Sequence, residues 1–176
     1  MKRFYRALGL LALAGFIASM AVHLAALSGI DVEERLPYVW ALHAGIFVVA
    51  LPYAILNRNK PKVKPSWDML GTAFPRWARF VGAGLFAYAI LNFVLFIDAT
   101  EGGNPTIRDG KYLLLNHGAL IRELTLAEFS AAKANVIRGF SGHWMVFYFG
   151  LTAYFLFKKE TPAVDGVCRS IAANGT

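Results

Sequence analysis

Residues 7–30 read ALGLLALAGFIASMAVHLAALSGI, 24 residues without a formal charge between Arg6 and Asp31. A helix needs about 20 apolar residues to cross a bilayer core of about 30 Å, so this stretch is long enough to span one. It also exceeds the roughly 7 to 15 residues of a secretory signal's apolar region. An uncleaved anchor is therefore expected, although Ser19-Met20-Ala21 offers small residues of cleavage type. Ala14 with Ala18, and Ala21 with Ala25, are small residues four apart, a spacing that suits close approach of a second helix.

Three further uncharged runs follow, at 36–57, 80–97 and 139–157. The four runs predict an all-α membrane protein, an antiparallel four-transmembrane-helix bundle. Composition agrees: 57% of the 176 residues are hydrophobic and 16% charged, against about 25% charged in a soluble domain. A disordered chain would need the opposite balance, and a disulfide-stapled secreted domain would need more than the single Cys168.

Charge gives the orientation. Lysine and arginine concentrate in the first six residues, in loop 58–79 and in tail 158–176, where twelve basic residues face three acidic ones for a net of +9. The opposite side has six basic and eight acidic residues, a net of −2. Basic loops stay in the cytoplasm, so both termini are expected there, in a multi-pass protein of a bacterial inner membrane. Anionic headgroups account for the basic face, and nucleic acid is not needed as a partner.

Loop 58–79 contains Pro61, Pro65 and Pro75 and cannot be one helix. Ser66 can cap a short turn in which Trp67, Leu70 and Phe74 form an apolar stripe at the headgroup level. Pro52 is expected to kink the second span near its inner end. Tyr38, Trp40, Trp144 and Tyr148 fall near the outer boundary, as an aromatic belt would.

The outer segment, 98–138, carries its own pattern. Asp109-Gly110 and Asn116-His117-Gly118 are hairpin turn sequences that bracket Lys111 to Leu115, with Ala119 to Glu123 beyond. They predict a small antiparallel meander. Thr125-Leu126-Ala127-Glu128 matches a capping box and starts a helix, with Gly139 as its expected stop before the fourth span. The segment reads as a small α/β extracytoplasmic lid between the third and fourth spans. Arg122, Glu123, Arg138 and Glu101 are expected to pair within it.

All four histidines fall on the outer half. His23, His43 and His143 lie seven, seven and five residues from the outer ends of their spans, and Asn92 six residues before Asp98. At 1.5 Å per residue these depths are about 7 to 11 Å, so each helix contributes one polar side chain to one layer. His117 can hang above it from the hairpin turn. Polar groups inside spans face the bundle interior and mark sites. His23, His43, His117 and His143 are therefore candidate metal ligands, with Asp98 or Glu101 to complete the set. His23, His43, Asn92 and His143 are the candidate cofactor-binding layer, in which His23 and His43 can serve as axial ligands of a haem b. A hydrogen-bond network that holds the helices together satisfies the same pattern.

In size and span number the chain resembles the four-helix di-haem cytochromes of bacterial membranes. That likeness is architectural. It implies histidines in both halves of the bilayer, and none lies in the inner half here, so no family is assigned. Gly139-Phe140-Ser141-Gly142 also resembles the G-x-S-G nucleophile motif of intramembrane serine proteases, for which His23 or His43 would have to be the base.

No span contains an acidic or basic residue, which disfavours proton-coupled pumping. The expected function is that of a non-enzymatic accessory protein whose outer lid contacts a membrane or envelope partner. The alternatives are a haem- or metal-binding redox protein and a transporter of a neutral or lipidic substrate.

Overall fold

The computed structural model describes residues 2–59 and 73–158. It is mostly helical, with one small antiparallel sheet. In chain order the elements are α1 (Lys2–Leu27), α2 (Val32–Arg35), α3 (Ala41–Asn57), α4 (Arg76–Ala99), β1 (Asn104–Arg108), β2 (Lys111–Asn116), β3 (Ala119–Glu123) and α5 (Leu126–Thr152), which runs into a π-helical turn, Ala153–Phe157. The Trp67 and Leu70 part of the loop stripe, and the tail from residue 159, lie outside the described residues.

Among the described residues two helices, α1 and α4, are long and apolar enough to cross a membrane. The second expected span starts later than its charge-free run. Asp31 Oδ1 accepts the backbone N–H groups of Glu33 and Glu34 at 3.1 and 3.2 Å and starts the short α2. Pro37 lacks the N–H a continuing helix would donate. Helix α3 therefore begins only at Ala41 and has 17 residues, about 26 Å at 1.5 Å each. Pro52 lies inside it, and the helix carries on to Asn57.

The fourth expected span is not separate from the lid helix. Gly139 does not stop it: α5 is one 27-residue helix from Leu126 to Thr152. A glycine caps a helix when it turns left-handed, but one surrounded by helical neighbours can remain in the ladder. Gly139 instead makes room, since a Cβ there would stand 2.6 Å from the Phe96 ring on α4.

The sheet order is β1-β2-β3. Its two turns use the left-handed region, at Asp109 and Gly110 (φ 53° and 75°) and at His117 and Gly118 (47° and 87°). Both central residues of each turn thus have the positive φ that tight hairpins require. Pro105 is tolerated because β1 is an edge strand, paired only with β2. The central strand buries Leu113, Leu114 and Leu115 together, as a continuous apolar run does when both faces are covered. Ile121 is the extra residue of a bulge opposite Leu114 and Leu115.

Thr125 and Glu128 form the capping box at the start of α5. Thr125 donates its N–H and its hydroxyl to Glu128 Oε2 at 2.7 and 2.8 Å, and Arg122 Nη1 donates to Oε1 at 2.8 Å. The Thr125 bonds first, and then Arg122, hold the Glu128 carboxyl down from the ordinary 4.5 to about 2. A carboxylate held low stabilises the fold above its unfolded pKa and stops doing so as pH falls through the folded one. The protection of the amides of Leu126 to Phe129, measured against their intrinsic exchange rates, should therefore fall between about pH 4.5 and pH 2, while that of the α1 amides is unchanged.

The core lies where α1, α3 and α5 meet, around Ala12, Val22, Val49, Ile137, Trp144 and Tyr148. Gly15 on α1 and Gly45 on α3 leave the space that the Tyr148 ring fills. The Tyr148 hydroxyl then donates to the Leu42 carbonyl at 2.7 Å. At the end of the bundle nearest the sheet, α2 is tied to α5 through Glu33, which pairs with Lys133 and accepts from Trp40 Nε1 at 3.1 Å. The Lys133 bond holds the Glu33 carboxyl below its ordinary range.

Candidate functional site: a buried polar relay

Two helix faces carry the polar groups. Tyr88 and Asn92 are four residues apart on α4, and Arg138, Ser141 and Gly142 are spaced by three and four on α5, so each set shares a face. The helices approach closely at Gly142, where an added Cβ would lie 2.7 Å from Asn92 Nδ2. His23 enters from α1.

The result is a continuous chain of hydrogen bonds. His23 Nε2 lies 2.5 Å from the Tyr88 hydroxyl, and Nδ1 lies 2.8 Å from Ser141 Oγ. Ser141 donates in turn to the Arg138 carbonyl at 3.2 Å, and Asn92 Nδ2 donates to the same oxygen at 3.0 Å. One assignment uses every donor once: Tyr88 O–H to His23 Nε2, His23 Nδ1–H to Ser141 Oγ, Ser141 O–H to the Arg138 carbonyl. Ser141 is 0% exposed, His23 3% and Asn92 2%. Buried polar groups satisfied in this way hold one helix arrangement against others.

The remaining sequence candidates sit elsewhere. His43 Nδ1 accepts from Trp144 Nε1 at 3.0 Å. His143 Nδ1 donates to the Gly139 carbonyl of its own helix at 3.0 Å, and its ring stands edge-on to Phe93. His117 occupies the β2–β3 turn. The expected single histidine layer is thus divided: His23 and Asn92 reach one network around Arg138 to Gly142, while His43 and His143 have separate partners. The expected metal set of His23, His43, His117 and His143 has no converged geometry, and among the described residues no group of three or more His, Cys, Asp or Glu could hold a metal ion. As a haem ligand, His23 would first have to give up a hydrogen bond, because both its nitrogens are engaged.

The pairing of Ser141 with His23 is the one the G-x-S-G motif requires, yet the surroundings do not suit a nucleophile. Ser141 is in mid-helix, where the neighbouring backbone N–H groups are used by the helix and cannot form an oxyanion hole. Its hydroxyl has no exposed surface for a substrate to reach. In the assignment above His23 donates to Ser141 and does not accept its proton. Tyr88 was missed by sequence reasoning, and its signal was the spacing of four from Asn92.

Among the described residues, Ser19 Oγ and Nε and Nη2 of Arg138 are buried near this network without a hydrogen-bond partner. Three of the lid cations are held by carboxylates: Lys111 by Glu123, Arg122 by Glu101 and Glu128, and Lys133 by Glu33. Of the expected network, Arg122 and Glu101 do pair, whereas Glu123 pairs with Lys111 and Arg138 has no ion pair among the described residues.

The chain matches no known family model, no curated protein and no solved structure.

Proposed function

We propose that this chain is a multi-pass inner-membrane accessory protein, in which four helices cross the bilayer as an antiparallel bundle and the lid contacts a partner on the outer side. Both termini lie in the cytoplasm of a bacterial cell. The distribution of charge, +9 against −2, supports the orientation. Exposed apolar side chains support the bilayer as solvent. Only 11% of the most apolar window of α4 is buried, and Phe80, Phe86, Leu91 and Val94 all face outward. A helix whose apolar residues stay uncovered needs lipid around it.

One observation carries the partner reading. On the lid, above the spans, Ile107 is 60% exposed, Leu120 58% and Leu126 64%. Every residue of β3 is exposed, and β3 is an edge strand. Large apolar side chains on a charged outer segment are interface material, and a free strand edge can accept a partner's strand. The polar groups inside the bundle largely satisfy one another, so the chain's binding capacity is on its outside.

A photo-crosslinking residue at position 120, placed in the whole chain in cells, tests this reading. A discrete adduct at 120 that does not form when the same photo-crosslinking residue stands at the exposed position 86 of α4 is the expected result. No adduct at 120, or the same adduct from both positions, overturns it.

A further inference from the structure

A second feature lies where the lid meets the helices. A cleft of about 560 Å³ is lined by Phe96 of α4 and Phe140 of α5 on one part, and by Asn104, Arg108, Asn116 and His117 of the sheet and its turn on another. That volume is within the roughly 300 to 1,000 Å³ of ligand sites. Its charge is unlike that of its surroundings. The outer side is net acidic, yet no aspartate or glutamate lines this cleft. Of the lid cations, Lys111, Arg122 and Lys133 are held by carboxylates, whereas Arg108 has no ion pair among the described residues. The cleft thus joins an uncompensated guanidinium and the hydrogen-bonding side chains of Asn104, Asn116 and His117 to an aromatic wall at the outer helix ends.

We propose that this cleft binds the headgroup of an anionic phospholipid from the outer leaflet. Arg108 takes the phosphate oxygens through its two-pronged donor set, which fits a phosphate better than a point charge does. Asn104, Asn116 and His117 hydrogen-bond the polar remainder of the headgroup, and the first part of an acyl chain lies on Phe96 and Phe140. A zwitterionic lipid brings a cationic group beside Arg108 and is held less well. The site rests on the membrane reading above, because only then do the outer ends of α4 and α5 lie at headgroup level.

Native mass spectrometry of the whole chain in mild detergent tests the proposal, with phosphatidylglycerol, phosphatidylcholine and inorganic phosphate as probes. Phosphatidylglycerol should be retained about ten times more strongly than phosphatidylcholine, the size of one charge-assisted hydrogen bond. Arg108→Gln should abolish that preference, and Lys111→Gln, which removes a cation already paired with Glu123, should leave it intact. Should Arg108→Gln fail to fold, Arg108→Lys takes its place: it keeps the charge, loses the fork, and should lower the preference. Equal retention of the two lipids, a preference untouched by the Arg108 variants, or displacement of the lipid by inorganic phosphate overturns the site. Extraction of the chain from membranes by alkaline carbonate would instead overturn the membrane reading, so the two failures are distinguishable.

Discussion

His23→Ala is expected to destabilise the helix assembly by about 3 kcal/mol. Each net hydrogen bond is worth about 1 kcal/mol, and a buried polar group left without a partner costs about 1–3 kcal/mol. The substitution removes both bonds of His23 at once and orphans the Tyr88 hydroxyl, while Ser141 retains the Arg138 carbonyl. The measurement is unfolding of the purified chain by sodium dodecyl sulfate titrated into mild detergent. A control separates a packing role from a chemical one. His23→Leu combined with Tyr88→Phe removes the polar partners together, and should recover most of the loss, because an apolar pair of similar shape leaves nothing unsatisfied. If the single and the double variant are equally unstable, the relay is not what holds these helices.

Trp144→Ala should cost at least as much, about 3–5 kcal/mol for truncating a fully buried aromatic. Trp144 is 1% exposed, stacks edge-on against Trp40 at 5.6 Å between ring centres, and donates to His43. In lipid the water-transfer part of that figure shrinks, since the unfolded helices remain in an apolar solvent. The cavity and the lost contacts remain. The lower half of the range is therefore expected in detergent, together with a loss of the tryptophan's share of the near-ultraviolet circular dichroism. Trp144→Phe keeps the bulk and should lose about 1 kcal/mol, the His43 bond.

Much of the lid could be read directly from the sequence, because its signals are local. Asp109-Gly110 and His117-Gly118 supply positive φ at the two turns, and Thr125 with Glu128 closes a ring within four residues. Such features depend on neighbours in the chain and not on what packs against them. The continuity of α5 was not legible for the opposite reason. Whether Gly139 ends a helix or admits the Phe96 ring depends on a residue 43 positions away.

The histidines show the same limit. Counting residues along each expected span gives an expected height, and on that height His23, His43, Asn92 and His143 agree. Convergence also needs the direction in which each side chain leaves its helix, which turns by about 100° per residue. Tyr88 with Asn92, and Arg138 with Ser141, were legible as shared faces by their spacing. Which face met His23 was decided by the packing of α1 on α5 and on the π-helical turn that follows it, through Gly15 against Tyr148 and Gly9 against Leu156. The late start of α3 was recoverable in part, since Pro37 argues against a helix through residue 36, whereas the charge-free run alone marks only where a span is allowed.

The central claim is an oriented membrane protein with its lid outside, and one labelling experiment tests it most directly. The sequence has a single cysteine, Cys168, in its C-terminal tail. A second, introduced as Asp109→Cys at the exposed β1–β2 turn, gives each side of the membrane its own thiol. With a membrane-impermeant maleimide applied to cells whose outer envelope has been opened, the account predicts labelling at position 109 at once and at Cys168 only after the inner membrane is permeabilised. Labelling of Cys168 first, or of both together with the inner membrane intact, would contradict it.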